Sequence, residues 1–186
     1  IRLGNAEFEA VRYVDSASLC VTTDRALYCP DGHGGFPKRY SFPEGVTPMM
    51  ALLSEDEGAW LLTTSRQLWR WSEAVWHRHP YSLRQDGVQH RQVALLTAEG
   101  ALWLSDGQLR RITEVESTAY PIQGERPFIL LQLREDARGR IWVGSNQGLF
   151  RVEHGELQRV FVDATQHESE VSYLSWEAQD GAVWVR

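Results

Sequence analysis

The chain has 186 residues, 42% of them hydrophobic, which is enough apolar material for one sizeable core. A formal charge of −6 argues against a phosphate-backbone binder, which works through a basic face, so no nucleic-acid partner is expected. No apolar run approaches the roughly 20 residues that cross a bilayer, Met49-Met50-Ala51-Leu52-Leu53 being among the longest, so no membrane span is expected in this segment.

Taken in order, the chain reads as groups of short strands. Ile1-Arg2-Leu3 fits the close of an earlier unit. Strands are then expected near 10–14, 18–23, 26–29 and 38–42, with Asp31-Gly32-His33-Gly34-Gly35 as a turn before the last. A second group falls near 49–54, 59–64, 67–71 and 75–79. A third falls near 92–97, 101–105, 108–113 and 117–122, and a fourth near 129–134, 140–145, 149–152 and 157–162. Residues 171–176 and 182–186 begin a fifth. No window carries a sustained 3.6-residue apolar period, and no low-complexity linker interrupts the series. The units run approximately 8–43, 48–82, 90–123, 128–163 and, in part, 170–186, and are expected to form a single domain or a fragment of one.

The clearest copy is the fourth. Asp136 and Gly139 bracket a polar turn, an apolar strand centred on Trp142 follows, and an Asn/Gly-containing turn leads into Leu149 and Phe150. Aligned on Trp142, the other copies place Cys20, Leu61, Trp103 and Trp184. The separations are 41, 42, 39 and 42 residues, a mean period of (184 − 20)/4 = 41. A period in the low forties with several short strands per unit points to the blades of a β-propeller, because one such sheet cannot bury both faces alone. The expected fold is all-β: a propeller arc of about four four-stranded blades plus a partial fifth. Further blades are expected outside residues 1–186, since this number is too small to seal one of the larger rings.

The motif of Asp136, Gly139, Trp142, Val143, Gly144, Ser145, Gly148, Leu149, Phe150 and Arg151 resembles the two-component regulator propeller repeat, which builds the sensor regions of bacterial hybrid two-component systems and related receptors. The likeness extends more weakly over residues 10–186, with Cys20 and Leu61 where the family favours Trp and Gln67 where it favours Gly. It implies a ligand-sensing, periplasmic part of an inner-membrane receptor. Small-molecule or oligosaccharide ligands, further blades, an output domain (kinase, cyclase or DNA-binding) and a dimer in the intact receptor would accompany it. The motif residues, Trp103 and Trp184 included, hold blades together in that family and do not bind ligand.

Candidate sites are few. No G-x-S-x-G elbow, phosphate loop or H-E-x-x-H helix occurs, so the segment is expected not to be an enzyme and to carry no cofactor or metal. A protein-interaction scaffold is the second reading, and a propeller-framed lyase or dehydrogenase the third. His77 and His79 are expected as a solvent-facing pair on an outer strand, without a third ligand for a metal. Asp56, Asp136 and Asp180 are expected to cap turn amides. In a propeller, the connection between blades shares a rim with the second hairpin turn of each blade. That rim collects Arg25, Arg66, His90, Arg91, Arg126, His167 and Glu168, and its arginines suit carboxylate or uronic-type groups. Finally, a hairpin turning at Asp24-Arg25 sets Cys20 opposite Cys29, close enough for a disulfide; two buried free thiols fit the same register.

Overall fold

The computed structural model describes residues 8–13, 19–53, 58–83, 93–121, 128–161, 174–176 and 183–185. The chain divides into two compact units, Ile1–Leu83 and Arg84–Arg186. In the first unit β1 (Phe8–Tyr13), β2 (Leu19–Thr23), β3 (Ala26–Tyr28) and β4 (Lys38–Ser41) form one sheet, in that spatial order. The next sheet has β5 (Pro48–Leu53), β6 (Ala59–Thr63), β7 (Gln67–Ser72) and β8 (Val75–Ser82). The second unit repeats the plan with β9 (Ala94–Leu96), β10 (Leu102–Ser105), β11 (Leu109–Ile112) and β12 (Ser117–Tyr120). Then come β13 (Leu130–Glu135), β14 (Ile141–Ser145), β15 (Gly148–Glu153) and β16 (Glu156–Phe161), and the pair β17 (Leu174–Trp176) and β18 (Val183–Val185). Every pairing is antiparallel between sequence neighbours, the up-and-down order that short turns impose. Among the described residues no helix is long and apolar enough to cross a membrane.

Side chains alternate across each strand, so each sheet presents two faces. In the first unit Cys20, Leu27, Cys29 and Tyr40 pack against Ala51, Ala59 and Leu61 of the next sheet. In the second unit Ala101, Trp103, Leu109 and Tyr120 pack against Leu130, Ile141, Val143 and Phe150. In both cases one sheet offers the face that carries Cys20 or Trp103, and the following sheet offers the opposite face. That is why a blade's two faces are both apolar and why its central strand is buried throughout, as in β6, β10 and β14.

The register moves one repeat position. Thr23 donates its hydroxyl to the Ala26 carbonyl at 3.1 Å, Thr63 to Gln67 at 3.3 Å and Ser145 to Gly148 at 2.9 Å. These three hydroxyls mark one hairpin position, and three residues before them stand Cys20, Trp60 and Trp142. Trp60, not Leu61, is therefore the counterpart of Trp142. The second hairpin holds three residues, Thr64-Ser65-Arg66, where those of the first and fourth sheets hold two, and an extra turn residue shifts every preceding side chain to the other face. Arg66 absorbs it with a φ of 61°. The residue opposite each tryptophan is an arginine: Arg70 for Trp60, Arg111 for Trp103 and Arg151 for Trp142. The first sheet has Cys20 and Cys29 there, joined by a disulfide with 4.3 Å between Cα atoms.

Asp136 organises the turn before β14. Its carboxylate accepts the amides of Arg138 and Arg140, at 2.9 and 3.0 Å, and the side chains of Arg140 and Trp142, at 2.6 and 2.9 Å. Burial alone would raise its pKa; the bonds from Trp142, the two amides and the Arg140 side chain outweigh burial and hold it at about 2. Gly139 turns the chain with φ at 74°, a conformation a side chain would strain. The guanidinium groups of Arg140 and Arg151 lie over the Trp142 ring, 5.6 and 5.2 Å from its centre. Trp184 lies in β18 opposite Ser175; Asp56 and Asp180 fall outside the described residues.

Candidate rim groove on the first sheet

The rim turns of the first, second and fourth sheets are tied by backbone bonds to connecting segments. The Phe42 amide donates to the Arg25 carbonyl at 2.7 Å, and the Leu83 amide to the Arg66 carbonyl at 2.9 Å. The Thr64 amide reaches Thr47 at 3.0 Å, and in the second unit the Asn146 amide reaches Ile129 at 3.1 Å. Hairpin turns and the segments between sheets thus lie side by side, because each outer strand must pass the turn to enter the next sheet. Of the seven rim residues expected, Arg25 and Arg66 are placed; His90, Arg91, Arg126, His167 and Glu168 fall outside the described residues.

Arg25 opens onto a groove of about 810 Å³. Asp24, Arg25, Tyr28, Lys38, Ser41 and Glu44 line it, over Ala26 and Phe42. In register, Ala26 faces Ser41 and Tyr28 faces Lys38. These four lie on the opposite face of the sheet from Leu27 and Tyr40, which belong to the core. The connection continues as a turn in which the Val46 amide donates to Pro43 at 3.3 Å and Gly45 takes a φ of 73°. That turn presents Glu44. On the far side, the Cys29 amide bonds Pro37 at 3.3 Å and closes the loop that leads into Lys38. Within that loop Asp31 accepts the amides of His33 and Gly35, both at 2.9 Å, and these bonds hold its carboxyl below the usual range.

The groove wall is rigidly backed. Tyr40, Phe42, Trp71 and Trp76 form an edge-on aromatic cluster with ring centres 5.0 to 6.1 Å apart. The Trp76 indole donates to the Ser41 carbonyl at 2.7 Å. Phe42 thus lines the groove and sits in the core between the two sheets. Tyr28, Lys38, Ser41 and Glu44 were not among the sequence candidates. The signal that finds Tyr28, Lys38 and Ser41 is the β3–β4 register, which depends on a bulge between Leu27 and Tyr28, whereas Glu44 lies in the connection between the two sheets.

Arg25 pairs with Asp24 at 3.3 Å, yet its side chain is 89% exposed, so the pair is weak and the guanidinium accessible. Asp106, at the corresponding turn of the third sheet, is different. Arg110 donates through Nε to both its oxygens, at 2.9 and 3.0 Å, with the carboxylate fully buried. That pair serves the sheet interior. The histidines depart from expectation: His77 is exposed, whereas His79 is buried, accepts the Tyr81 amide at Nδ1 and packs 5.5 Å from Trp60. A break in the β7–β8 register between Gln67 and Trp69 accompanies this turn inward. Among the described residues no group of three His, Cys, Asp or Glu stands ready for a metal ion.

Comparison with known proteins places the fold. No family model matches the chain, and no curated protein matches it. A catalytically inactive virginiamycin B lyase from Staphylococcus aureus with quinupristin is similar at a TM-score of 0.67 and 16% identity, over 100% of this chain and 65% of that one. YCF48 from Cyanidioschyzon merolae is similar at 0.60 and 11%, over 97% and 64%. A structure of YCF48 bound to D1 peptide is similar at 0.59 and 15%, over 97% and 61%. The chain therefore spans under two thirds of each of these structures. At such identities the likeness shows the fold alone: an all-β propeller fold, here with four four-stranded blades and part of a fifth.

One expectation is corrected by the same finding. The segment was expected not to be an enzyme because no catalytic motif is written in it. Virginiamycin B and streptogramin B lyases, which are enzymes, share this fold at TM-scores of 0.63 to 0.67, so the fold can host enzymes. Groups for catalysis on a propeller come from loops of separate blades, and no contiguous motif announces them.

Proposed function

We propose that this chain is a ligand-sensing propeller segment of a bacterial signal-transduction receptor, with its ligand taken up on the rim that carries Arg25. The resemblance of the Asp136–Arg151 stretch to the two-component regulator propeller repeat supports the receptor setting, a periplasmic position and an output domain beyond the segment. The observation that carries the sensing role is the double placement of Phe42, in the groove lining and in the core between two sheets. A ligand that prefers one position of Phe42 biases how the two sheets pack, and such a bias is what a receptor transmits.

The test is a thermal-shift screen of the chain against a panel of oligosaccharides, uronic acids, amino acids and short peptides, repeated on Arg25→Ala and Glu44→Ala. A stabilising ligand whose effect is lost in either variant supports the reading. A stabilising ligand indifferent to both, or no small-molecule effect, with or without capture of a protein partner, overturns it.

A further inference from the structure

We infer that the groove takes an extended zwitterion about the length of a tripeptide, its carboxylate at Lys38 and its ammonium at Glu44. This deepens the proposed function and rests on the groove being the ligand site. The charges of the lining cancel, Asp24 and Glu44 against Arg25 and Lys38, yet they are not mixed. At the end that the Phe42 amide ties to Arg25, the lining carries two carboxylates, Asp24 and Glu44, against the one guanidinium of Arg25, so that end is net negative. Lys38 stands alone at the other end, opposite Tyr28. Among the described residues neither Lys38 nor Glu44 makes an ion pair.

The spacing sets the ligand's length. From Lys38 to Ser41 the strand advances about 10 Å at about 3.3 Å per residue, and Glu44 follows in the Pro43–Val46 turn after Phe42. Three extended residues of a peptide span about 10 Å. A single amino acid is too short to meet both charges, and a neutral sugar meets neither. The small side chain of Ala26 on the floor leaves room for a backbone, and Tyr28 offers an apolar wall. The volume, about 810 Å³, suits a ligand of that size.

The experiment is calorimetric titration of the full chain with trialanine, its N-acetylated form and its C-terminal amide, on wild type, Lys38→Gln and Glu44→Gln. Both side chains are exposed, and circular dichroism confirms that the variants fold. The expected result is weaker binding, about fivefold, for each blocked end and each variant. Lys38→Gln should leave the amide's affinity unchanged, and Glu44→Gln that of the acetylated form, since each pair is then already broken. Equal binding of the blocked and free peptides overturns the inference. If trialanine fails to bind while an oligosaccharide of the panel binds in an Arg25-dependent way, the zwitterion is wrong and the sensing reading stands. If no panel member binds, both fail.

Discussion

Cys20 and Cys29, bonded across β2 and β3, hold the register position that Trp142 and Arg151 hold across β14 and β15. In the second, third and fourth sheets this position is filled by a tryptophan with an arginine opposite it; Arg70 lies 5.6 Å from the ring of Trp60, as Arg151 lies 5.2 Å from Trp142. The first sheet replaces a large stacked pair with a small covalent one. Its face is then filled by Tyr40 and Phe42, which meet Trp71 and Trp76 from the neighbouring sheet.

Removing the bond should therefore cost stability locally in the first unit. The loop it closes has a sequence separation of 9, for which chain entropy gives about 2–3 kcal/mol. Urea denaturation of Cys20→Ala/Cys29→Ala against wild type measures it. Because the bond ties Tyr28 and the start of the Lys38 loop, ligand affinity should fall with it.

The shifted register makes a pair of substitutions unequal. Leu61 is wholly buried in the core between the first two sheets, so Leu61→Trp overpacks it and should destabilise by about 1–3 kcal/mol. Trp60→Leu should cost about as much through lost contact with His79 and Arg70. Thermal melts of both variants check this. A stabilised Leu61→Trp would restore Leu61 as the counterpart of Trp142.

Asp136 gives a pH signature. Its folded pKa, about 2, lies below the ordinary value of 3.8, so it stabilises the fold fully above that ordinary value. The contribution is lost as pH falls from there through about 2. Its side chain is 11% exposed, and the shift corresponds to about 2 kcal/mol. Denaturation series from pH 6 to pH 2 should show that loss in wild type and its absence in Asp136→Asn, which should start lower.

The buried pair of Asp106 and Arg110 should respond asymmetrically. Arg110→Ala leaves a buried carboxylate without its guanidinium and should cost about 3–5 kcal/mol. The double variant Asp106→Asn/Arg110→Met should cost less than the single one. A double variant as unstable as Arg110→Ala would show that the site's value lies in its packing.

Much of this architecture is legible in the sequence. The 41-residue period, the four-strand units and the opposed cysteines followed from turn residues and alternation, which act over a few neighbours. The phase of the second repeat did not, because its extra turn residue is accommodated by Arg66 at positive φ, where a glycine would have signalled the turn. His79 looked solvent-facing because the break in the β7–β8 register leaves no mark in composition. The groove was half legible. Arg25 and the 43–48 segment belong to the expected rim, whereas Tyr28 and Lys38 come to it through a bulge that no spacing rule foretells.

The measurement that bears most directly on the account is hydrogen–deuterium exchange of the full chain, with and without the panel ligand that stabilises it most. Ligand should slow exchange across residues 24–47, and in the β6 and β7 segments that share the core with Phe42. Protection confined to other segments, with 24–47 unchanged, would contradict a ligand site on the rim of the first sheet.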